Sequence, residues 1–396
     1  MAEQDVYSSR LSTGPLPVDR AASHLPQTSG AEQDLYGSRF SSGFDKARQQ
    51  IPRVGQAAGT AAEQDLYGSH FSTTTQSSTA AALGLLQSAA LPSFTFHAAF
   101  STIAYGISRY TDRAEGKDWF WPTGMTLNAW YSAIGSKVLN DGLSLSAAWS
   151  TLNYPEKLLL TGVTAWGVRL LHRIATRSIA RGKDDPRYDA AKKDPGFWNK
   201  SLFTMFLPEA AAQTLISLPF VLPYRATAES VLSSPLTSQP GWFHALAVFL
   251  FSTGFAIEVL ADKRLAAHKK NGDVGVCRDG VWSIVRHPNY LGDALIHFSF
   301  PILLLGAGLF HPLAALGPVA NYVFLRFVGG DRENEATQAE RYAKEDPIKA
   351  RDFAEYRAEK NSFWPSVKEL GNKWTWAVVL AGAGGVVLER GIRSVC

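Results

Sequence analysis

Two stretches of the chain place groups that bind or transfer charge beside long apolar runs. In VWSIVRHPNYLGD, residues 281 to 293, Arg286, His287, Asn289, Tyr290 and Asp293 stand directly before ALIHFSFPILLLGAGLF. Pro288 steers His287 away from helical geometry and suits a helix start, so Asn289 and Asp293, four apart, fall on one face of the helix that follows. Such groups could merely cap a membrane helix and meet lipid headgroups. Ionisable residues at membrane depth nevertheless mark functional sites by default. A face of donors and acceptors there can hold a polar cofactor with its reactive end pointing inward. The preceding GFAIEVLADKRLAAHKKNG repeats the arrangement, with Glu258 and Asp262 four apart and Arg264, Lys269 and Lys270 after them. Carboxylates accept the hydroxyl and amide hydrogens of a nucleotide, and cations meet its phosphates. The plainer reading is a helix-end ion pair with snorkelling lysines.

The elements that must position these residues are apolar blocks near 81–109, 119–138, 157–175, 201–223, 242–261, 291–310, 313–328 and 374–389. Most approach the ~20 residues that cross ~30 Å of hydrocarbon as a helix. Trp and Tyr stand at several block edges, as in DWFWP and NKWTW, where their rings favour the headgroup level. The pattern predicts an all-α, polytopic transmembrane bundle of seven or eight helices over residues 79–396. Loops 173–200, 262–287 and 329–373 then share one side and hold most of the Lys and Arg outside the N-terminal region. The positive-inside bias puts them in the cytosol.

Residues 1–78 differ in kind. They are rich in Ser, Gln, Ala, Gly and Thr and carry one motif three times: AEQDVYSSRLSTG from Ala2, AEQDLYGSRFSSG from Ala31 and AEQDLYGSHFSTT from Ala62. The segments between copies lack apolar periodicity, so the period is not that of a stacked solenoid and the region reads as a disordered tail. The repeats fit tandem duplication in an unconstrained segment or three Tyr-centred docking sites for a protein partner. With the first apolar block starting near residue 80, no signal peptide is expected.

Several classes of function are disfavoured. A formal charge of +4 on 396 residues, with no basic block interleaved with aromatics, speaks against nucleic-acid binding. The two cysteines, Cys277 and Cys396, are isolated and lack metal-ligand spacing, so free thiols and no metal site are expected. There is no Gly-x-Ser-x-Gly elbow. GAGG at 382–385 lies inside an apolar helix and reads as a packing face rather than a dinucleotide loop.

GVWSIVRHPNYLGD, with GFAIEVLADKRLAAHKK upstream, AEYRAEKNSFWP downstream and RGKDDPRYDAAKKDPGFWNKSLFTMFLPEAAAQTLISLP before both, resembles the steroid 5-alpha-reductase C-terminal-like superfamily, particularly its DUF1295 branch. The likeness runs from about residue 181 to 365. It implies a membrane reductase that takes hydride from NADPH and delivers it to a C=C bond of a lipophilic, sterol- or enone-like substrate, in the endoplasmic reticulum by family habit. Matched position by position, it implies cofactor contacts from Glu258, Asp262, Lys269, Asn289, Tyr290, Asp293 and Arg326, to which Arg264, Arg286 and His287 add by type. GGDRENEA, after Arg326, lacks the His and Tyr that steroid reductases show nearby. Reduction of an enone also needs a donor at the developing oxyanion and a proton for the adjacent carbon. Tyr105, Tyr131 and Tyr188 are candidates by type, and Glu209, beside Pro208 in an apolar block, is a candidate acid. Isoprenylcysteine and phospholipid methyltransferases share a similar RHPxYxG motif, so S-adenosylmethionine is the rival cofactor. A non-catalytic scaffold that recruits partners through the tail is a third reading.

Overall fold

A computed structural model describes residues 84–225, 240–272, 275–328 and 330–395. The tail repeats lie outside the described residues. Those described are helical with no strand among them. We label the longer helices α1 (Leu91–Thr111), α2 (Gly116–Trp130), α3 (Tyr154–Arg181), α4 (Phe197–Ile216), α5 (Leu218–Arg225), α6 (Pro240–Asn271), α7 (Pro288–Gly306), α8 (Leu316–Phe327), α9 (Asp331–Glu345), α10 (Pro347–Glu359) and α11 (Lys373–Val395). Two short helices, Ser136–Asp141 and Leu145–Ser150, join α2 to α3.

Local chemistry sets the helix ends that matter for the site. At the start of α3, Asn153 accepts from the Glu156 amide at 2.9 Å while Glu156 Oε2 accepts from the Asn153 amide at 2.8 Å, a reciprocal capping box. Gly182, at φ +67, closes the same helix in a left-handed conformation that its missing Cβ allows. Pro288 starts α7 as expected, with His287 in a non-helical conformation at φ −128, ψ 66.

The centre of the bundle is the antiparallel pair α6 and α7, the most extensive helix contact among the described residues. It closes at two glycines: a Cβ on Gly254 would come 2.4 Å from the Gly292 carbonyl oxygen, and one on Gly292 would come 2.6 Å from the Gly254 oxygen. Only glycine permits that approach. Helices α3, α5 and α8 pack against α7, and α2 and α4 join them through a core that includes Trp121, Trp166, Phe220 and Phe300. Helix α11 covers the opposite side of α6, with Gly382 against Thr253 and Gly385 against Ser252.

Among the described residues two helices are long and apolar enough to cross a membrane, Gly241–Asn271 and Lys373–Val395. The pair α4 and α5, bent by 59°, makes a third if it forms one span. Fewer helices pass than the seven or eight apolar blocks predicted. The block at 157–175 is part of α3, whose second half carries Arg169, Arg173, Arg177 and Arg181. The block at 313–328 yields a helix of 12 residues. Large apolar side chains remain exposed on the outer faces, among them Phe203, Val168, Leu380, Val387 and Leu388. Such surface is at home in lipid, and the protein is a membrane-associated helical protein.

Candidate functional site

Where α3 passes the α6–α7 crossing it contributes Trp166, Arg169 and Arg173, spaced i, i+3, i+7 and hence on one face. Arg169 Nη1 lies 3.1 Å from Glu258 Oε2, and its Nη2 donates to Asp262 Oδ2 at 2.9 Å. Arg173 Nε lies 3.1 Å from Asp262 Oδ1. Glu258 is 2% exposed and packs on Gly292, whose added Cβ would come 2.7 Å from Glu258 Cγ. The two α6 carboxylates are thus neutralised by α3 rather than by the Lys and Arg that follow them in sequence.

One residue beyond Gly292, Asp293 is also buried and faces inward. Trp166 Nε1 donates to its Oδ1 at 2.8 Å and Asn321 Nδ2 to its Oδ2 at 2.7 Å. One turn on, His297 Nε2 lies 3.8 Å from Asp293 Oδ2. His297 is fully buried, edge-on to Trp166 and Phe300, and neither of its ring nitrogens has a hydrogen-bond partner. A buried imidazole with no partner is uncommon.

The first half of the opening motif belongs to a second cluster, at the basic-loop end. Arg286 holds Glu335 of α9 through two parallel bonds, Nε to Oε1 and Nη2 to Oε2, both 2.8 Å. His287 Nε2 lies 2.9 Å from Glu335 Oε1, and Arg357 of α10 adds a 3.3 Å contact. Burial pushes the Glu335 carboxyl up, but hydrogen bonds from His287 and Arg286 outweigh it and hold it at about 2. The Arg286 and His287 amides donate to the carbonyls of Asn361 and Ser362 at 3.0 and 2.9 Å, stapling the returning chain to the motif. Tyr290 stacks on His287 with ring centroids 4.9 Å apart and accepts from Asn334 Nδ2 at 3.1 Å. Arg326 bonds Asp331 and, at 2.7 Å, Ser362 Oγ. Between the two clusters Asn289 Oδ1 is buried without a hydrogen-bond partner.

The structure distributes the sequence-predicted residues among several environments. Asp262 and Arg264 are two residues apart and so point about 200° apart on α6. Asp262 faces α3, while Arg264 pairs with Asp279 and lines a groove of about 670 Å³ on the other side. Lys269 is exposed near the end of α6, outside that groove. Arg286 and His287 line a small recess of about 20 Å³. A third, shallow recess of about 630 Å³ is lined by Trp130, Val168, Arg169, His172 and Phe255. None of these three is lined by Glu258, Asn289, Asp293 or Arg326, and Arg264 lines a different recess from Arg286 and His287. Tyr188 and Glu209 meet different partners: Lys117 bonds Glu209, Arg187 donates to Asp118 at 2.7 Å, and Tyr188 donates to Asp118 at 3.4 Å. Tyr105 donates to the Trp198 carbonyl at 2.7 Å.

Sequence reasoning missed Trp166, Arg169, Arg173, His297, Asn321 and Glu335. Two carried signals: Arg169 interrupts an apolar block, and His297 stands four residues after Asp293 in DALIH. No group of three or more His, Cys, Asp or Glu able to hold a metal ion occurs among the described residues.

A buried charged crossing inside an all-helical, membrane-associated bundle defines the class of protein. The family model of DUF1295, described as a protein of unknown function, matches residues 104–359, and the chain belongs to that family. The match includes every residue of the two clusters except Asn361 and Ser362 of the returning segment, and leaves out α11. No curated protein and no solved structure matches the chain.

Proposed function

We propose that the protein is a membrane oxidoreductase that uses NADPH to reduce a C=C bond of a lipophilic, sterol- or enone-like substrate. In this reading the remaining apolar helices complete a polytopic bundle, and the site opens toward the basic loops, which the charge bias assigns to the cytosol. The observation that carries it is the crossing of α3, α6 and α7, where Glu258, Asp293 and His297 are buried beside Arg169 and neither ring nitrogen of His297 has a hydrogen-bond partner. Buried groups of this kind are costly to fold and are retained at sites of chemistry.

The residues present fit a nicotinamide dinucleotide. Asn289 Oδ1 is a buried acceptor with no donor, which an amide N–H would satisfy. Glu258 and Asp262 would accept ribose hydroxyls, and Arg169 and Arg173, which pair with these carboxylates in the free protein, would turn to the phosphates that the sequence had assigned to Arg264, Lys269 and Lys270. When bound, NADPH supplies a hydride to one carbon of the double bond. The chain's task is then to stabilise the negative charge that develops on the substrate and to deliver a proton to the adjacent carbon. In this reading His297 supplies that proton; Asp293 Oδ2 lies 3.8 Å from its Nε2 and is itself held by Trp166 and Asn321. Asp293 acts in this reading as a positioning residue rather than a direct cofactor ligand.

The test uses full-length protein in mild detergent, titrated with NADPH and with S-adenosylmethionine, and native membranes supplied with NADPH and analysed by lipid mass spectrometry. The expected result is saturable NADPH binding, weakened roughly tenfold or more by Arg173→Gln through loss of a charge-assisted bond of ~1.5–3 kcal/mol, and lipid species heavier by two hydrogens. Binding of S-adenosylmethionine alone would overturn the reading in favour of methyl transfer.

A further inference from the structure

The groove of about 670 Å³ is not used by the proposed reaction, and its chemistry is distinct. It lies at the start of α11, beside α6 about two turns before that helix ends, these being the two helices among the described residues that are apolar enough to cross a membrane. Their antiparallel register, set by Gly382 on Thr253 and Gly385 on Ser252 and continued toward this end, brings Lys263 opposite Lys373, and both line the groove. Arg264, Arg278 and Trp374 line it too, against a single lining carboxylate, Asp279. Asp279 neutralises Arg264, and Asp352 with Glu359 neutralises Arg278. Among the described residues Lys263 and Lys373 have no carboxylate partner, and both are exposed.

Where two spanning helices leave the hydrocarbon, the surrounding medium is the phosphate layer of the bilayer. A tryptophan favours that depth, and basic pockets between membrane helices bind anionic headgroups there. Lys373 and Trp374 belong to α11, outside the residues matched by the family, whereas Lys263, Arg264, Arg278 and Asp279 lie within them. From the unneutralised lysine pair, the aromatic wall and the depth, we infer that the groove binds the phosphate-bearing headgroup of an anionic phospholipid. The acyl chains then lie along the apolar flank of α11, where Leu380 and Val387 are exposed. This site is independent of the NADPH reading, since it shares no residue with the buried crossing.

The test is native mass spectrometry of the full-length protein in a non-ionic detergent, titrated separately with phosphatidylinositol monophosphate, phosphatidylcholine, inorganic phosphate and NADPH. One phosphatidylinositol monophosphate should be retained in preference to phosphatidylcholine, and free phosphate and NADPH should not displace it. At about fivefold for each lysine near the surface, Lys263→Gln with Lys373→Gln should weaken retention roughly twenty-five-fold. Both side chains are exposed, so the fold should survive their replacement. A charge-matched control, Lys344→Gln with Arg351→Gln on the exposed faces of α9 and α10, should leave retention unchanged. Equal loss in the control would reduce the effect to overall charge and sink the proposal. So would unchanged retention in the lysine variant, or displacement by NADPH, which would assign the groove to a soluble phosphate ligand.

Discussion

Trp166 and Asp293, 127 positions apart, meet through a 2.8 Å hydrogen bond in which the indole N–H donates to a buried carboxylate. That bond ties α3 to α7 at the depth of the core and fixes the carboxylate that faces His297. Trp166 is itself wholly buried, so its ring fills core volume while its single donor is spent on a charge. Trp166→Phe keeps most of the volume and removes the donor. The expected loss is about 1.5–3 kcal/mol of stability, the range for a hydrogen bond to a charged group. A fluorescence melt in detergent that showed no fall in the midpoint would mean that the bond does not hold the bundle.

Arg169 should behave as a keystone for charge. It reaches Glu258 and Asp262 together, but Asp262 keeps Arg173 when Arg169 is removed, whereas Glu258 has no second cation among its ion pairs. Arg169→Leu therefore strands a buried carboxylate and should cost about 3–5 kcal/mol. Adding Glu258→Leu should recover much of that, because an apolar pair of similar volume suits the same space. Melting midpoints of the two single variants and the double variant check the coupling, and simple additivity would show that the two side chains do not interact.

Much of this was legible in the sequence, and the part that was not has a physical reason. Helical class, the α7 start at Pro288 and the inward face of Asp293 follow from spacing and from the geometry proline imposes. The partners of Glu258 and Asp262 do not, because they come from α3, about 90 residues upstream. Local reading grouped the two acids with Arg264, Lys269 and Lys270 around one nucleotide, yet Arg264 faces away around the helix and Lys269 is exposed near the helix end. Likewise Arg286 looked like a cofactor ligand, but its guanidinium is committed to Glu335, a residue in a stretch that had been read only for what it lacked. Glu209 and Tyr188, proposed as acids by type, are brought near each other but beside Lys117 and Asp118.

The Glu335 cluster predicts acid sensitivity. Its folded carboxyl lies at about 2, below its ordinary 4.5, so the stabilisation is present above the ordinary value and is lost as pH falls from there toward 2. The shift corresponds to about 3 kcal/mol for a group that is 5% exposed. Glu335→Gln should lower the midpoint at neutral pH and flatten its decline below pH ~4.5. Melts of both proteins across that range test the sign, and parallel curves would remove Glu335 from the acid response.

His297 separates a packing role from a chemical one. It is fully buried, both ring nitrogens lack hydrogen bonds, and Trp166, Phe220 and Phe300 surround it. A polar ring in that state costs about 1–3 kcal/mol relative to an apolar residue of the same shape. His297→Leu should therefore raise the melting midpoint, the reverse of most core substitutions. If the imidazole supplies the proton in the proposed reduction, the same change should lower turnover by about 10²–10⁴-fold and leave NADPH binding intact. Stability and activity would then move in opposite directions, as they do where a strained or unsatisfied group is kept for function. The decisive measurement pairs a thermal melt with the appearance of lipids heavier by two hydrogens in membranes containing each protein. A variant that is more stable and equally active would show that His297 only fills space and that the proton comes from elsewhere.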